Sequence, residues 1–367
     1  MSDLVKEICV IGHPSYLGGA DTELFDQIKC WHWMGIKVYI LHTGAVREEY
    51  KEMGLEKKYN CTYLPSCDWK QTKGLHCISF CNGKFLENIA EIKKYAISTT
   101  FINCMTWNFH KEIDAQTKGL IDFHLYQTQH GYDRVSPKLK NGPKPYRYQI
   151  FKPYFDASQF MFYENRPTDK FRFGRLSRND AAKYNENQFT IYDNISVDNK
   201  AGLILGWSDR IQNKCHVQQT DLVKRKIANT DNDGVFYKNY IQLMEAKGYL
   251  QKLFYKFCDV LIIQSDTFEN LPRTGFECMA SGTIPIVDNR GGWTLEIDNG
   301  YNGYLCNTTQ EFITCANKLA NDSQLRHTMR LNGLNKLKSN WSLEESSKDW
   351  ENYFKRLKEY ETLKTSV

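Results

Sequence analysis

A chain of 367 residues that is 41% hydrophobic, 25% charged and 14% aromatic is a globular sequence long enough for two domains, which excludes a disordered or fibrous protein. Its net charge of +5 permits an anionic ligand without demanding nucleic acid. No apolar run approaches the ~20 residues that span a bilayer, and the opening MSDLVKEICVIGH carries no signal-peptide pattern, so a cytoplasmic protein of a cell or host cytosol is expected.

Residues 7–13 (EICVIGH) read as a first buried strand. Gly18-Gly19 then turns the chain into a helix whose apolar positions Leu24, Phe25, Ile28, Trp31 and Met34 recur at helical spacing, with Asp21 as its cap. A glycine turn there lets backbone amides approach an anion closely. The dinucleotide fingerprint GxGxxG is absent, because Gly12, Gly18 and Gly19 have the wrong spacing. Strands at 37–43, 61–66, 76–82, 99–105 and 123–129 alternate with helices near 46–53, 84–96 and 109–118, the pattern of an α/β, doubly wound parallel sheet.

The 12 cysteines are irregularly spaced and read as small buried hydrophobes of a reducing compartment. Cys77 and Cys81 share a strand face but lack a second pair, so no metal site is expected. His130 follows the strand LYQTQ directly, at the end where such sheets keep their ligands, and is either a loop donor or a catalytic group. Residues 136–152 (SPKLKNGPKPYRYQIFK) hold basic and aromatic side chains and no acidic one. They form a solvated loop or a grip on a phosphorylated or nucleic-acid acceptor.

Residues 156–170 read as a linker. The second domain opens with a strand and loop, FRFGRLSRNDAAKY (171–184), where Arg175, Arg178 and Lys183 crowd the strand's exit with cations suited to a diphosphate. LILGW (203–207) is the next strand, and 208–240 is a polar connection with some helix. Within it, Asp231 and Asp233 read as a polar turn rather than a metal site.

A helix over 241–257 leads into the richest stretch, 258–302. It comprises a buried strand (260–264), a polar loop, a short helix closed by Gly282, a strand (284–287) and a Gly-Gly turn. Glu269 and Glu277 bracket the N-terminus of that helix. Free amides there suit an anion and carboxylates suit hydroxyls, so a phosphate-bearing, hydroxyl-rich ligand fits. The alternative is that Glu277 merely balances its helix dipole while Glu269 is solvated. Helices near 309–320 and 323–337 follow. A last helix starts at the capping box Ser342-x-x-Glu345, and its stripe Trp350, Tyr353, Phe354 and Leu357 suits docking on protein rather than on a membrane.

Four features in this order resemble the large retaining glycosyltransferase family that contains glycogen synthases, sucrose synthases and bacterial mannosyltransferases, the glycosyl transferases group 1. They are the Gly18-Gly19 turn, His130, the S-R-x4-K pattern at Ser177, Arg178 and Lys183, and Glu269-x7-Glu277 with Met279-Ala280-Ser281-Gly282. Gly291-Gly292, Glu296 and Asn302-Gly303 continue the pattern.

The resemblance implies a GT-B architecture, two Rossmann-like domains facing each other across a cleft. The acceptor-side domain would cover 1–156, with helix 342–364 packed back on it, and the donor domain 157–341. It implies further that Arg178 and Lys183 hold the donor diphosphate, that Glu269 contacts the sugar and Glu277 the ribose, and that Asn270, Leu271, Pro272 and Arg273 present amides to sugar and phosphate. Gly18 and Gly19 would close from the other domain, and His130 would line the reacting centre. No metal or other cofactor is needed in such enzymes. Two departures stand out: Leu271-Pro272-Arg273 replaces the usual Phe-Gly region, and Tyr184 replaces the glycine after the lysine.

The expected activity is a metal-independent, retaining transfer of a sugar from a nucleotide sugar to an acceptor hydroxyl. The default acceptor is a cell-envelope saccharide or lipid-linked glycan, reached through peripheral membrane contact in the lipid case. A hydroxylated DNA base is the alternative, given the basic 136–152 segment and Lys224-Arg225-Lys226. Two other classes compete: a nucleotide-sugar-binding protein without transfer activity, and a dehydrogenase, whose fingerprint is missing.

Overall fold

Short apolar runs bounded by glycines and polar turns build two all-parallel sheets. The computed structural model describes residues 4–15, 19–43, 54–64, 68–143, 145–167, 169–224, 227–229 and 249–365. The chain divides into two compact units, Met1–Asp156 with Asn340–Val367, and Ala157–Ser339.

In the first unit seven strands stand in the order β3-β2-β1-β4-β5-β6-β7. They are β1 (Glu7–Ile11), β2 (Lys37–Leu41), β3 (Cys61–Tyr63), β4 (His76–Phe80), β5 (Ser98–Asn103), β6 (Phe123–Tyr126) and β7 (Tyr148–Ile150). Connecting helices are α1 (Gly19–Trp33), α2 (Leu55–Lys58), α3 (Gly83–Ile92), α4 (His110–Thr117) and α5 (Gln129–Val135). Strand side chains alternate between faces. Ile8 and Val10 therefore pack with Trp31 on one side, while Cys9 and Ile11 pack with Phe85 and Ile89 on the other. Burial on both faces explains why these strands read as unbroken apolar runs.

The second unit repeats the design with six strands in the order β10-β9-β8-β11-β12-β13. They are β8 (Phe171–Leu176), β9 (Lys200–Leu205), β10 (Ile227–Asn229), β11 (Val260–Ile263), β12 (Ile284–Asp288) and β13 (Tyr304–Cys306). Its helices are α6 (Gln188–Asp193), α7 (Asp209–Cys215), α8 (Gln219–Lys224), α9 (Tyr249–Phe257), α10 (Arg273–Ser281), α11 (Trp293–Glu296), α12 (Thr309–Asn321) and α13 (Ser323–Asn340).

The last helix, α14 (Leu343–Thr365), is docked on the first unit through its apolar stripe. Trp350 meets Trp31 edge-on at 4.9 Å and donates to Gln27 Oε1 at 2.8 Å. The Tyr353 hydroxyl meets Thr100 Oγ1 at 2.5 Å. Both of these buried polar tips thus find partners, and each buried ring contributes about 1.5–3 kcal/mol. Among the described residues no helix is long and apolar enough to cross a membrane.

Four expectations change. Residues 136–152 are not one solvated loop, for they include the edge strand β7, whose Gln149 is buried and donates to the Asp349 carbonyl at 2.7 Å. Its polar sequence concealed a strand that covers an edge. Nor is 156–170 a loose linker. Arg166 donates to the carbonyls of Tyr255 (2.7 Å) and Ser281 (3.1 Å), and the Tyr163 amide to Ser281 at 3.1 Å, so the segment straps onto the second unit.

The polar 208–240 connection holds the expected helix, as α7 and α8, and in addition the strand β10, whose three residues are too few to show periodicity. Helix α1 starts at Gly19, which puts Asp21 inside its first turn rather than at its cap. The expected helix near 46–53, Gly18, the Asp231 and Asp233 pair, Arg225 and Lys226 lie outside the described residues.

Candidate functional site

In both sheets the strand order reverses beside the first strand, and a doubly wound sheet opens its ligand crevice at the carboxyl ends of the strands flanking that point. In the second unit those strands are β8 and β11. The S-R-x4-K segment leaves β8 and the Glu269 loop leaves β11, so the topology brings together two motifs separated by some 86 positions.

The β8 exit is shaped by its neighbours. Gly206, just past β9, has φ +88°, and a Cβ there would stand 1.8 Å from the Ser177 carbonyl oxygen. Only glycine lets that backbone lie against Ser177 and Arg178. Asp180 accepts from the Ala182 amide at 3.0 Å and starts one 3-10 turn, Ala181–Lys183.

Arg175 is fully buried, lies 3.9 Å over the Tyr184 ring and donates to Gln188 Oε1, to the Gln264 carbonyl at 3.2 Å and to the Lys183 carbonyl. It ties the lysine loop to the end of β11. The expectation that Arg175 helps neutralise a diphosphate therefore fails: its strand position points it into the core. Tyr184, one of the two departures from the family pattern, serves as its stacking partner. Arg178, past the strand end, is exposed.

Lys183 Nζ forms an ion pair with Glu269 Oε1, the two side chains 18% and 23% exposed. A part-exposed pair of this kind can be exchanged for a ligand at small cost. Glu277, in α10, is 7% exposed and accepts a hydrogen bond from Tyr255 Oη at 2.6 Å. Asn270 and Pro272 are buried, and Leu271 and Arg273 half-buried. Pro272 stands at the N-cap of α10 and offers no side-chain cap, so the positive end of the helix dipole lies between the two carboxylates. The helix closes at Gly282, φ +74°.

The Gly291-Gly292 turn is a floor for this loop. A Cβ on Gly291 would stand 2.3 Å from the Glu269 carbonyl oxygen and one on Gly292 1.9 Å from that of Asn270, while the Gly292 amide donates to the Glu269 carbonyl at 2.9 Å. Glu296 fills a similar place against α10. A Cβ on Gly275 would lie 1.6 Å from its Oε2. Glu296 is fully buried, and its carboxyl oxygens have no hydrogen-bond partner among the described residues. Asn302 secures the backbone behind it, donating to the Glu296 carbonyl at 3.0 Å.

Burial, with Glu269 nearby, pushes the Glu296 carboxyl well above its ordinary value of 4.5. The folded state then holds a proton that the unfolded chain releases above that value, so this group costs stability as pH rises past it. Glu296→Gln should melt a few degrees above the parent at pH 8, with the gap closing toward pH 4. Differential scanning calorimetry across that range checks it.

His130 lies in the first turn of α5, in the first unit, where Thr128 Oγ1 caps the helix by accepting from the Gly131 amide at 2.8 Å. Burial and Arg134 push its pKa down against the opposing Asp133, which keeps the imidazole neutral near pH 7. Gly19 is the exposed first residue of α1.

Arg178, Lys183, Glu269, Glu277 and the 270–273 loop thus share one end of the second sheet, while His130 and Gly19 belong to the first unit. Motif reading missed Tyr255, which looked like one more apolar residue of a helix, and Gly206, which looked like part of a strand. Among the described residues no group of three or more His, Cys, Asp or Glu could hold a metal ion.

Residues 203–336 match the family model for glycosyl transferases group 1. The chain is 30% identical over 97 residues to the alpha-1,3/1,6-mannosyltransferase ALG2 of Dictyostelium discoideum, a stretch covering 26% of this chain. It spans 23% of the length of that curated relative.

Similar solved structures include Anabaena Alr3699/HepE in complex with UDP, with a TM-score of 0.67, 12% identity, and 95% of this chain and 99% of that chain covered. Sucrose-phosphate synthase from Thermosynechococcus elongatus gives 0.68 and 13%, covering 96% and 99%. A mutant of S. aureus TarM, in complex with Fondaparinux, alpha-GlcNAc-glycerol and UDP, gives 0.68 and 11%, covering 95% and 100%. At such identities the likeness shows the fold, which is the GT-B fold of glycosyltransferases.

Proposed function

We propose, on the premise that residues 203–336 are a glycosyl transferases group 1 domain, that this chain transfers a sugar from a nucleotide-diphosphate sugar to an acceptor hydroxyl with retention of anomeric configuration. The observation that carries this reading is the Lys183–Glu269 pair, which joins the two motif loops beside the N-terminus of α10. A diphosphate entering there would take Lys183 from Glu269 and gain Arg178, and the freed carboxylate would turn to the sugar hydroxyls. Glu277, held by Tyr255, suits the ribose hydroxyls.

In the transfer the bond between C1 and the diphosphate oxygen breaks, leaving its electron pair on that oxygen. The acceptor oxygen bonds to C1 on the same face, and its proton passes to the departing phosphate. Arg178 and Lys183 stabilise the charge as it develops. His130, uncharged near neutrality, is suited to hydrogen-bonding the sugar. Gly18 and Gly19 are proposed as further phosphate-binding residues, through backbone amides that glycine leaves accessible. No metal is needed in this reading. The acceptor is a cell-envelope saccharide or lipid-linked glycan, and the reaction is cytoplasmic, with peripheral membrane contact for a lipid-linked acceptor.

A thermal-shift screen of nucleotide sugars tests the reading. A matching donor at a hundredfold excess over its Kd should stabilise the protein by about 2.7 kcal/mol. Mass spectrometry of candidate acceptors then follows. Stabilisation by NAD and by no nucleotide sugar would overturn the proposal.

A further inference from the structure

The carboxyl edge of the first sheet carries a loop that the donor site leaves unused. Residues 104–109 join β5 to α4, and at their apex Trp107 is 52% exposed. Scattered exposed apolar residues are ordinary. This one stands on an unusually costly mount. Asn103, fully buried, donates to the Trp107 carbonyl at 3.1 Å and to Glu112 Oε2 at 2.8 Å, and accepts from the Met105 amide at 2.8 Å. Glu112, also fully buried, accepts from the Phe109 amide at 3.2 Å, and burial pushes its carboxyl up to about 7.

Asn108 donates to the Val135 carbonyl at 3.1 Å, tying the loop to α5, the helix that begins beside His130. Phe109 braces the indole, its ring 4.5 Å away. Burying an acid and an amide to hold one loop in a single shape is expensive unless the shape is used.

We propose that Trp107 is the floor of an acceptor subsite, on which a pyranose ring of a saccharide acceptor stacks; this rests on the glycosyltransferase reading above. An indole face is apolar and electron-rich, and it complements the C–H face of a sugar ring. The adjoining strand ends supply hydrogen-bonding groups for the hydroxyls. His13 and Thr43 meet at 2.8 Å, and Asn82 reaches Thr43 at 3.4 Å. The Cys104 amide donates to Cys81 Sγ at 2.9 Å, which places the Trp107 loop next to Asn82.

Saturation-transfer difference NMR with methyl glucosides, galactosides and mannosides tests the subsite. The ring protons of at least one glycoside should be saturated by the parent protein. That signal should fall about three- to tenfold in Trp107→Ala and persist in Trp107→Phe. No signal from any glycoside, or an equal signal in Trp107→Ala, overturns the proposal. So does Trp107-dependent binding to vesicles of equimolar phosphatidylglycerol and phosphatidylcholine, or to a single-stranded oligonucleotide, since either assigns the indole to another partner. Thermal shift by nucleotide sugars is read on the same samples. If it is absent, the glycosyltransferase reading fails; if it is present without glycoside signal, only the subsite fails.

Discussion

Lys183→Ala is expected to lower donor turnover by at least about a hundredfold and to weaken binding of the nucleoside diphosphate, because it removes an ammonium from the place where leaving-group charge develops. Glu269→Ala should lose as much turnover and yet bind the nucleoside diphosphate as well as the parent or better. The two effects separate because Lys183 and Glu269 form an ion pair with each other. Removing the acid frees the cation for phosphate, whereas removing the cation leaves nothing in its place. Neither change should cost much stability, as the pair is part-exposed and such pairs contribute ~0–1 kcal/mol. Initial rates with the matched donor and calorimetric titration with the nucleoside diphosphate measure both quantities. Near-normal turnover in both variants, or equal loss of diphosphate affinity, would be incompatible with these roles.

Gly292→Ala is expected to have a comparable effect without touching a charged group. The added Cβ would meet the Asn270 carbonyl oxygen at 1.9 Å, its carbon at 2.6 Å and Leu271 Cα at 2.8 Å. All three are backbone atoms, so no side chain can swing aside, and the donor loop must move. Backbone strain is not the cause, since φ at Gly292 is −64°, a value alanine adopts freely. Overpacking of this kind costs about 1–3 kcal/mol, and a shift of about 1 Å in a positioning loop can cost ~100-fold in rate.

Gly300→Ala is the matched control. Its φ is +80° but nothing lies within 4 Å, so it should lose about 1 kcal/mol of stability and keep its turnover. Melting temperatures and donor turnover of the two variants distinguish a collision from strain.

Most of the fold is legible in the sequence because strands covered by helices on both faces must be unbroken apolar runs. VLII and IPIV announce β11 and β12 without help from context. Strands β7 and β10 escape because three residues cannot display a period. The linker reading fails for a different reason: Arg166 looks like a surface residue until the carbonyls it serves, on α9 and α10, are brought to it by the fold.

The site divides in the same way. Glu269, Glu277 and Lys183 are visible as residue types at set spacings. Arg175 is the same type beside them, and only the strand's pleat decides that it faces inward. Tyr255 and Glu296 act through contacts with residues distant in sequence, on Glu277 and Gly275 respectively, which spacing cannot express. The Leu271-Pro272-Arg273 departure has a partial physical account. Pro272 sits at the N-cap of α10, where a missing N–H costs nothing, and Arg273 opens the helix a few residues after Glu269.

Donor cleavage followed by proton NMR tests the central claim most directly, because water can stand in for the unidentified acceptor. With the nucleotide sugar selected by thermal shift, the parent protein should release the nucleoside diphosphate and a free sugar that first appears in the anomeric form it had in the donor, and Lys183→Ala should do neither at a comparable rate. A sugar released first in the opposite anomeric form would contradict retention. Failure of every nucleotide sugar to bind or be cleaved would contradict the assignment of this site to a nucleotide-diphosphate sugar.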